Sequence, residues 1–320
     1  MRLGSRLFNA WFAPIDPTRL ATFERVLSIT FLLYMAERFK HAYEWLTARG
    51  YHTTHETKAW FQIDPFPLLE TWMVPIFGVI LFGSTLALIV SWKPRWLVWV
   101  VLACAVYVQY VDPPSAYTLN KLYIVCYSVL ALTPRTREYY ARRGGETVKR
   151  HSAWALRTLQ LTILVQYFTA GLCKVFHGDW VFKLSGDKIS WFPSVDTLWT
   201  HIQGCYCTDI AAWMLRVIDK ESTWGLALWA MMMYSALLFE LCAPLVFGIR
   251  KLRPIAYFWG FGFQVVIAIT MHQLIYFSLQ LVAFYVLFFD VNTIHLLRDK
   301  WKPLLSPRRA VGTPDAPAEL

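Results

Sequence analysis

The sequence predicts an all-α protein, a polytopic bundle of transmembrane helices. Of the 320 residues, 57% are hydrophobic and only 16% are charged, and the mean hydropathy is +0.39. A chain of this composition is too apolar for an ordinary soluble domain. The apolar residues are also gathered into separate segments, with basic residues between them, as in a protein that crosses a bilayer repeatedly.

About eight apolar segments, each bounded by polar or aromatic residues, are expected to form the spans. They cover about 20–36, 73–92, 96–111, 117–132, 154–176, 224–249, 254–271 and 273–290. Several are shorter than the roughly 20 residues that a perpendicular crossing needs, so the count is open by one.

Lysine and arginine lie on alternate connections between these segments. They are concentrated within 2–19, 93–95, 135–150, 250–253 and 298–309. Because basic connections face the cytoplasm, this pattern predicts cytoplasmic amino and carboxyl termini and a multi-pass protein of the cell membrane. Topology then explains much of the net charge of +10. No basic stripe interleaved with stacking aromatics indicates a nucleic-acid partner.

The chain divides into three parts around this membrane domain. Residues 1–15 form a basic amino-terminal segment, 16–295 the transmembrane domain, and 296–320 a cytoplasmic tail that we expect to be disordered. The longest outer connection, 177–223, is rich in tryptophan. We expect it to lie in the interface as short amphipathic helices that close over the outer ends of the spans.

The segment from Trp154 to Trp180 carries the clearest sign of function. It begins as an apolar helix and places a lysine, Lys174, where a charge is costly. Helical spacing puts Tyr167, Ala170 and Gly171 on the face of Lys174, and the small residues leave room for a neighbouring helix or a ligand. The alternative is that Lys174 only extends to the nearby aqueous boundary.

The same segment resembles a known family. Residues 166–174, QYFTAGLCK, followed by Gly178-Asp179-Trp180, are similar to the Y-x-x-A-G-x-x-K…W segment of the HTTM family, the membrane domain shared with vitamin K-dependent gamma-carboxylase. The opening Asp16-Pro17 and the pattern of His272 with Phe277-Ser278 are also similar. The resemblance covers about 16–290.

This resemblance implies a site and a cofactor. Lys174 would be the general base that deprotonates a reduced naphthoquinone of the vitamin K type, with His272 and Tyr167 as its neighbours. The implied activity is an oxygen-dependent reaction linked to a quinone or lipid at the outer leaflet. The expected partners are membrane lipid and a small lipid-soluble substrate or a peptide.

Depth counting places further polar residues at the outer end with Lys174. They are His177, Asn120, Lys121 and Gln273, our candidates for substrate binding. Spacing alone does not predict that they converge. A desolvated lysine loses its proton more readily, which is what a general base needs.

A structural ion pair is expected between Arg25 and Glu240, two charged residues inside apolar segments; the alternative is that Glu240 is a catalytic carboxylate. Counting back from Arg250 places Glu240 roughly 15 Å from the cytoplasmic side. This depth predicts that Glu240 and Lys174 do not touch.

No metal site is predicted. His52 and His55 have no obvious third ligand nearby, and the Cys205/Cys207 pair has no second pair at zinc spacing. The alternative to an enzyme is a membrane accessory, export or immunity protein, or a transporter. Lys174 distinguishes these classes, because arginine remains protonated and cannot replace a lysine base.

Overall fold

The computed structural model describes most of the chain. The described residues are 11–50, 66–90, 94–111, 118–133, 139–143, 146–177, 180–185, 188–191, 194–204, 208–271 and 274–305. Over them the protein is mainly helical, as predicted. The amino-terminal ten residues, the end of the tail, and the candidates His272 and Gln273 lie outside the described residues.

Each predicted apolar segment coincides with helix. The helices are α1 (Thr18–Phe39), α2 (Ala42–Leu46), α3 (Met73–Ile89), α4 (Pro94–Val111), α5 (Thr118–Leu132), α6 (Trp154–His177), α7 (Ser194–Gly204), α8 (Asp209–Val217), α9 (Thr223–Gly248), α10 (Arg253–Thr270), α11 (Ile275–Tyr285) and α12 (Val291–Leu305). Short 3-10 turns at Arg250–Leu252 and Val286–Phe288 precede α10 and follow α11.

Three of the described helical segments are long and apolar enough to cross a membrane: Trp154–His177, Thr223–Gly248 and Arg250–Thr270. A fourth is reached if Ile275–Phe288 and Val291–Leu297, which meet at a bend of 114°, count as one span. Helices α3 to α5 are apolar but shorter. The protein therefore has the helices of a membrane protein.

Among the described residues, two small sheets depart from the all-helical expectation. Strands β2 (Tyr139–Arg143) and β3 (Glu146–Ser152) form an antiparallel hairpin, and β1 (Pro14–Ile15) pairs with β3. In the outer connection, β4 (Phe182–Ser185) pairs with β5 (Lys188–Trp191), so this connection is not helical throughout. Short polar connections carry no apolar periodicity from which such pairing could be predicted.

The tail also differs from its prediction. Helix α12 continues to Leu305, so the segment expected to be disordered from 296 is helical over 296–305. The remainder, 306–320, lies outside the described residues.

The helices pack as neighbours in two connected groups. Helix α1 contacts α3 and α11, and α4 lies between α3 and α5. Helix α9 contacts α6 and α10, while the short helices α7 and α8 pack on α9 and α10. Fully buried aromatic side chains such as Phe31, Tyr123 and Phe239 fill the interior. Large apolar side chains such as Phe258 stand on the outside, as lipid-facing residues do.

Candidate functional site

A largely apolar cavity of about 260 Å³ lies where α6, α9 and α10 meet beneath the short helices α7 and α8. Its apolar wall includes Met214, Met232, Phe263, Ile267 and Leu281. Its polar lining includes Lys174, Glu240, Tyr167, Gln264 and His201. A concave apolar site with a few convergent polar groups is the usual form of a small-molecule site.

Lys174 and Glu240 form an ion pair inside this cavity. The Nζ of Lys174 donates to both carboxylate oxygens of Glu240. The side chain of Glu240 is 6% exposed and that of Lys174 is 25% exposed. The carboxylate is thus withdrawn from solvent, and Lys174 is the cation that compensates it.

The expectation that Lys174 and Glu240 do not touch is therefore wrong. Counting residues measures depth along a helix axis only, and it ignores the length and direction of the side chain. A helical side chain leans toward the amino terminus of its helix. The long side chain of Lys174, near the carboxyl end of α6, therefore leans back toward the interior of the protein.

The predicted pairing of Glu240 with Arg25 is corrected by the same observation. Arg25 lies on an exposed face of α1, whereas its neighbour Glu24 is buried. Both oxygens of Glu240 accept hydrogen bonds from Lys174 instead. The face on which Arg25 lies depends on the rotation of α1 about its axis, which packing decides.

Gly171 makes the Lys174–Glu240 contact geometrically feasible. A Cβ at Gly171 would lie 2.9 Å from Leu241 Cδ2 and 3.2 Å from Glu240 Cβ. The absence of a side chain therefore lets α6 approach α9 one turn below Lys174. The sequence-based expectation that small residues leave room for a neighbouring helix is confirmed here.

Trp180 completes the surroundings of the ammonium. The Nζ of Lys174 lies 5.0 Å from the centroid of the Trp180 ring. A cation at this distance from an aromatic face is attracted by the ring quadrupole. The ammonium thus has a carboxylate and an aromatic ring as neighbours.

A hydrogen-bonded tyrosine pair lies below the ion pair. The hydroxyl groups of Tyr167 and Tyr285 are 2.9 Å apart, and Nε2 of Gln264 donates to the Tyr167 hydroxyl at 3.1 Å. Gln264 is 1% exposed, and its Oε1 is buried without a hydrogen-bond partner among the described residues. Burying an amide oxygen unpaired is costly. Gln264 therefore carries a buried acceptor without a partner among the described residues, in a side chain that lines the cavity.

The short helices are held over the cavity by polar contacts. The Thr208 hydroxyl donates to the carbonyl of Ile269, which ties the start of α8 to α10. Lys220 Nζ donates to Asp196 Oδ1 at 2.7 Å, which ties the α8–α9 connection to α7. The hydrogen bond to Asp196 raises the pKa of Lys220 above its usual value.

The other predicted site residues lie elsewhere. Asn120 is fully buried in α5, where its Nδ2 donates to the carbonyl of Ala105 and to Gln109 Oε1. Lys121 and His177 are exposed. None of Asn120, Lys121 and His177 is among the described residues that line the cavity. Depth alone placed these residues together, and helix rotation separates them.

The cavity-lining residues Gln264, Trp180 and His201 are among those that were not predicted as site candidates. A polar residue in an otherwise apolar span, as Gln264 is, is a signal that could have been used. Among the described residues, no cluster of histidine, cysteine, aspartate and glutamate could hold a metal ion. His52, His55, Cys205 and Cys207 lie outside those residues.

Comparison of the chain with family models, with curated proteins and with solved structures finds no match.

Proposed function

We propose that this chain is a multi-pass membrane protein of the HTTM type that deprotonates a lipid-soluble substrate in the cavity around Lys174. Its eight apolar segments would cross the cell membrane, with both termini in the cytoplasm and the cavity toward the outer leaflet. The helices that coincide with these segments and the alternation of basic connections support this arrangement. The observation that carries the function is the Lys174–Glu240 ion pair in an apolar cavity.

The pair explains how a charged lysine acts as a base. An ammonium has no lone pair, so Lys174 accepts a proton only after it releases one. Glu240 is placed to take that proton through the existing hydrogen bonds. The transfer leaves a neutral amine beside a neutral acid. Nζ then takes the proton of a substrate hydroxyl, so the substrate loses one proton and Glu240 gains it.

The cavity fits the ring of a reduced naphthoquinone. Its walls are mainly apolar, and its volume of about 260 Å³ is slightly below the range of small-molecule sites, about 300–1,000 Å³. The unpartnered Oε1 of Gln264 supplies an acceptor for a ring hydroxyl. When bound, a reduced naphthoquinone supplies an acidic hydroxyl whose deprotonated form reacts with oxygen.

Tyr167 and His272 keep supporting roles in this proposal. Tyr167 holds Gln264 and is itself held by Tyr285, so it orients the acceptor. His272 follows Met271, which lines the cavity. We propose His272, which lies outside the described residues, as a neighbour of Lys174.

Replacement of Lys174 tests the base. Lys174→Ala and Lys174→Arg should each lower oxygen-dependent consumption of reduced naphthoquinones by about 100-fold or more, the usual contribution of a general base. Lys174→Arg keeps a cation for Glu240 but cannot release its proton. Products of the detergent-purified protein would be identified by mass spectrometry.

The matched control is Lys121→Arg, at an exposed lysine of α5, which should keep wild-type activity. Full activity in Lys174→Arg would contradict the role of Lys174 as a base. An absence of turnover by folded wild-type protein across several quinones would reject the quinone reaction.

Replacement of Gln264 tests recognition of the hydroxyl. Gln264→Met should weaken binding of a reduced naphthoquinone about fivefold to tenfold, the value of one hydrogen bond of about 1–1.4 kcal/mol. The dimethyl ether of the same compound has no hydroxyl to donate and should bind wild type and Gln264→Met equally. Quenching of protein fluorescence would measure both affinities. An equal loss for both ligands would mean that Gln264 only supports the shape of the cavity.

The second candidate is a non-enzymatic accessory, export, immunity or transport protein. One observation favours it: the Lys174–Glu240 pair also links α6 to α9, as an ion pair that only joins two helices would. In that case the Lys174→Arg protein should still function in the cell. If Lys174 is a base, the Lys174→Arg protein should not function, because arginine stays protonated.

A further inference from the structure

Four arginines gather at the opposite end of the bundle from the Lys174 cavity. Arg19 begins α1, Arg157 lies in the first turn of α6, Arg250 follows α9 and Arg253 begins α10. Asp290, which precedes α12, forms ion pairs with two of them, Arg19 and Arg250. We call these five residues the arginine cluster.

The contacts within the arginine cluster leave its positive charge in excess. Asp290 Oδ1 lies 3.0 Å from Arg250 Nη2 and 3.8 Å from Arg19 Nη2. Arg157 and Arg253 are both close enough to Arg19 to repel its charge. The cluster thus contains four guanidinium groups and one carboxylate, and as a whole it attracts anions.

Two arginines of the cluster are held in place by the backbone and by Gln160. Arg253 donates from Nε to the carbonyl of Phe247 at 3.1 Å and from Nη1 to that of Phe288 at 3.0 Å. Arg157 Nη1 donates to Gln160 Oε1 at 3.1 Å, and Gln160 in turn donates to Leu287. These hydrogen bonds hold the guanidinium groups near each other although their positive charges repel. Such preorganisation favours an anionic ligand.

Arg19 has a donor that the protein does not use. Its Nε is buried and has no hydrogen-bond partner in the part of the chain that the structure describes. The side chain of Arg19 is 22% exposed, and that of Arg250 is 76% exposed. A ligand can therefore reach the cluster from outside. The planar fork of arginine matches the oxygen atoms of a phosphate group.

The surface beside the cluster is apolar. Ile255 is 53% and Phe258 87% exposed on α10, and Leu245 is 56% exposed near the end of α9. A free phosphate has no apolar part that could pack against this surface, whereas the acyl chains of a phospholipid would cover it. In the proposed topology this end of the helices lies at the cytoplasmic leaflet, where anionic lipid headgroups are concentrated.

We infer that the arginine cluster binds the phosphate group of an anionic phospholipid. The site lies apart from the Lys174 cavity, and it uses the topology but not the chemistry of the proposed function. Arg19 and Arg250 contact the phosphate oxygens, and Asp290 limits the affinity by repulsion. Arg253 and Arg157 contribute charge from fixed positions.

The test measures lipid binding by the full-length chain in detergent. Phosphatidylglycerol and phosphatidylcholine would be titrated into mixed micelles and bound lipid counted by native mass spectrometry. Arg19→Gln combined with Arg250→Gln should weaken phosphatidylglycerol binding about 25-fold, about fivefold for each charge. Arg216→Gln is the matched control, because Arg216 is exposed on α8 and its Nε donates to the carbonyl of Ala212 in its own helix.

Asp290→Asn gives an independent readout of opposite sign. It removes the carboxylate without removing a donor, so it should tighten phosphatidylglycerol binding about fivefold. This variant keeps the inference testable if the double variant fails to fold. Inorganic phosphate added alone distinguishes the two sources of the anion.

Three results would overturn the inference. They are equal binding of phosphatidylglycerol by wild type and the charge variants, equal binding of phosphatidylglycerol and phosphatidylcholine, and binding of inorganic phosphate without binding of the lipid. If wild-type protein binds phosphatidylglycerol as expected but turns over no quinone, the proposed function is rejected and the lipid-binding inference stands.

Discussion

Replacing Lys174 with methionine should destabilise the protein by about 3 kcal/mol, within the range measured when a buried ion pair loses one partner. The variant leaves the carboxylate of Glu240, which is 6% exposed, without its cation. Thermal unfolding in a neutral detergent, followed by near-ultraviolet circular dichroism, would measure the loss. The effect is large because the cavity supplies few polar groups to replace the ammonium.

The double variant Lys174→Met with Glu240→Leu is the control for this prediction. It removes both charges and fills similar volume with apolar atoms, so it should recover most of the lost stability. It should nevertheless stay inactive toward quinones, because the base is gone. A double variant as unstable as Lys174→Met would show that the destabilisation does not come from an unpaired Glu240.

Replacing Gly171 with leucine should separate α6 from α9. Even a Cβ at this position lies 2.9 Å from Leu241 and 3.2 Å from Glu240, so a whole leucine side chain forces the helices apart. We expect a loss of about 2–3 kcal/mol in unfolding free energy from overpacking. Quinone turnover should fall about 100-fold, because a displacement of about 1 Å in a catalytic group has that effect.

Gly262→Leu is the matched control for Gly171→Leu. Gly262 lies on an exposed face of α10, and a Cβ there meets no atom within 4 Å. The same substitution should therefore leave unfolding and turnover unchanged, or stabilise α10 slightly through helix propensity. Equal losses in both variants would attribute the effect to leucine itself and not to the contact between α6 and α9.

The residues of the cavity differ in how far their sequence context predicted them. Lys174 was found because a charge in an apolar segment is conspicuous, and the spacing of Tyr167 and Gly171 placed them on its face. Gln264 is equally polar but uncharged, and no local pattern showed that its oxygen would be left without a partner. Whether a buried amide oxygen finds a hydrogen-bond donor depends on the side chains of all the helices packed around it.

The sequence by itself determined the helical class, the helix positions and the importance of Lys174, because hydrophobic runs and local spacing are properties of neighbouring residues. Only the tertiary structure decided that Glu240 pairs with Lys174 and not with Arg25, and that Asn120 and His177 lie away from the cavity. Those outcomes depend on the rotation and tilt of each helix. Contacts such as that of Gly171 with Leu241 set them, between residues distant in the chain.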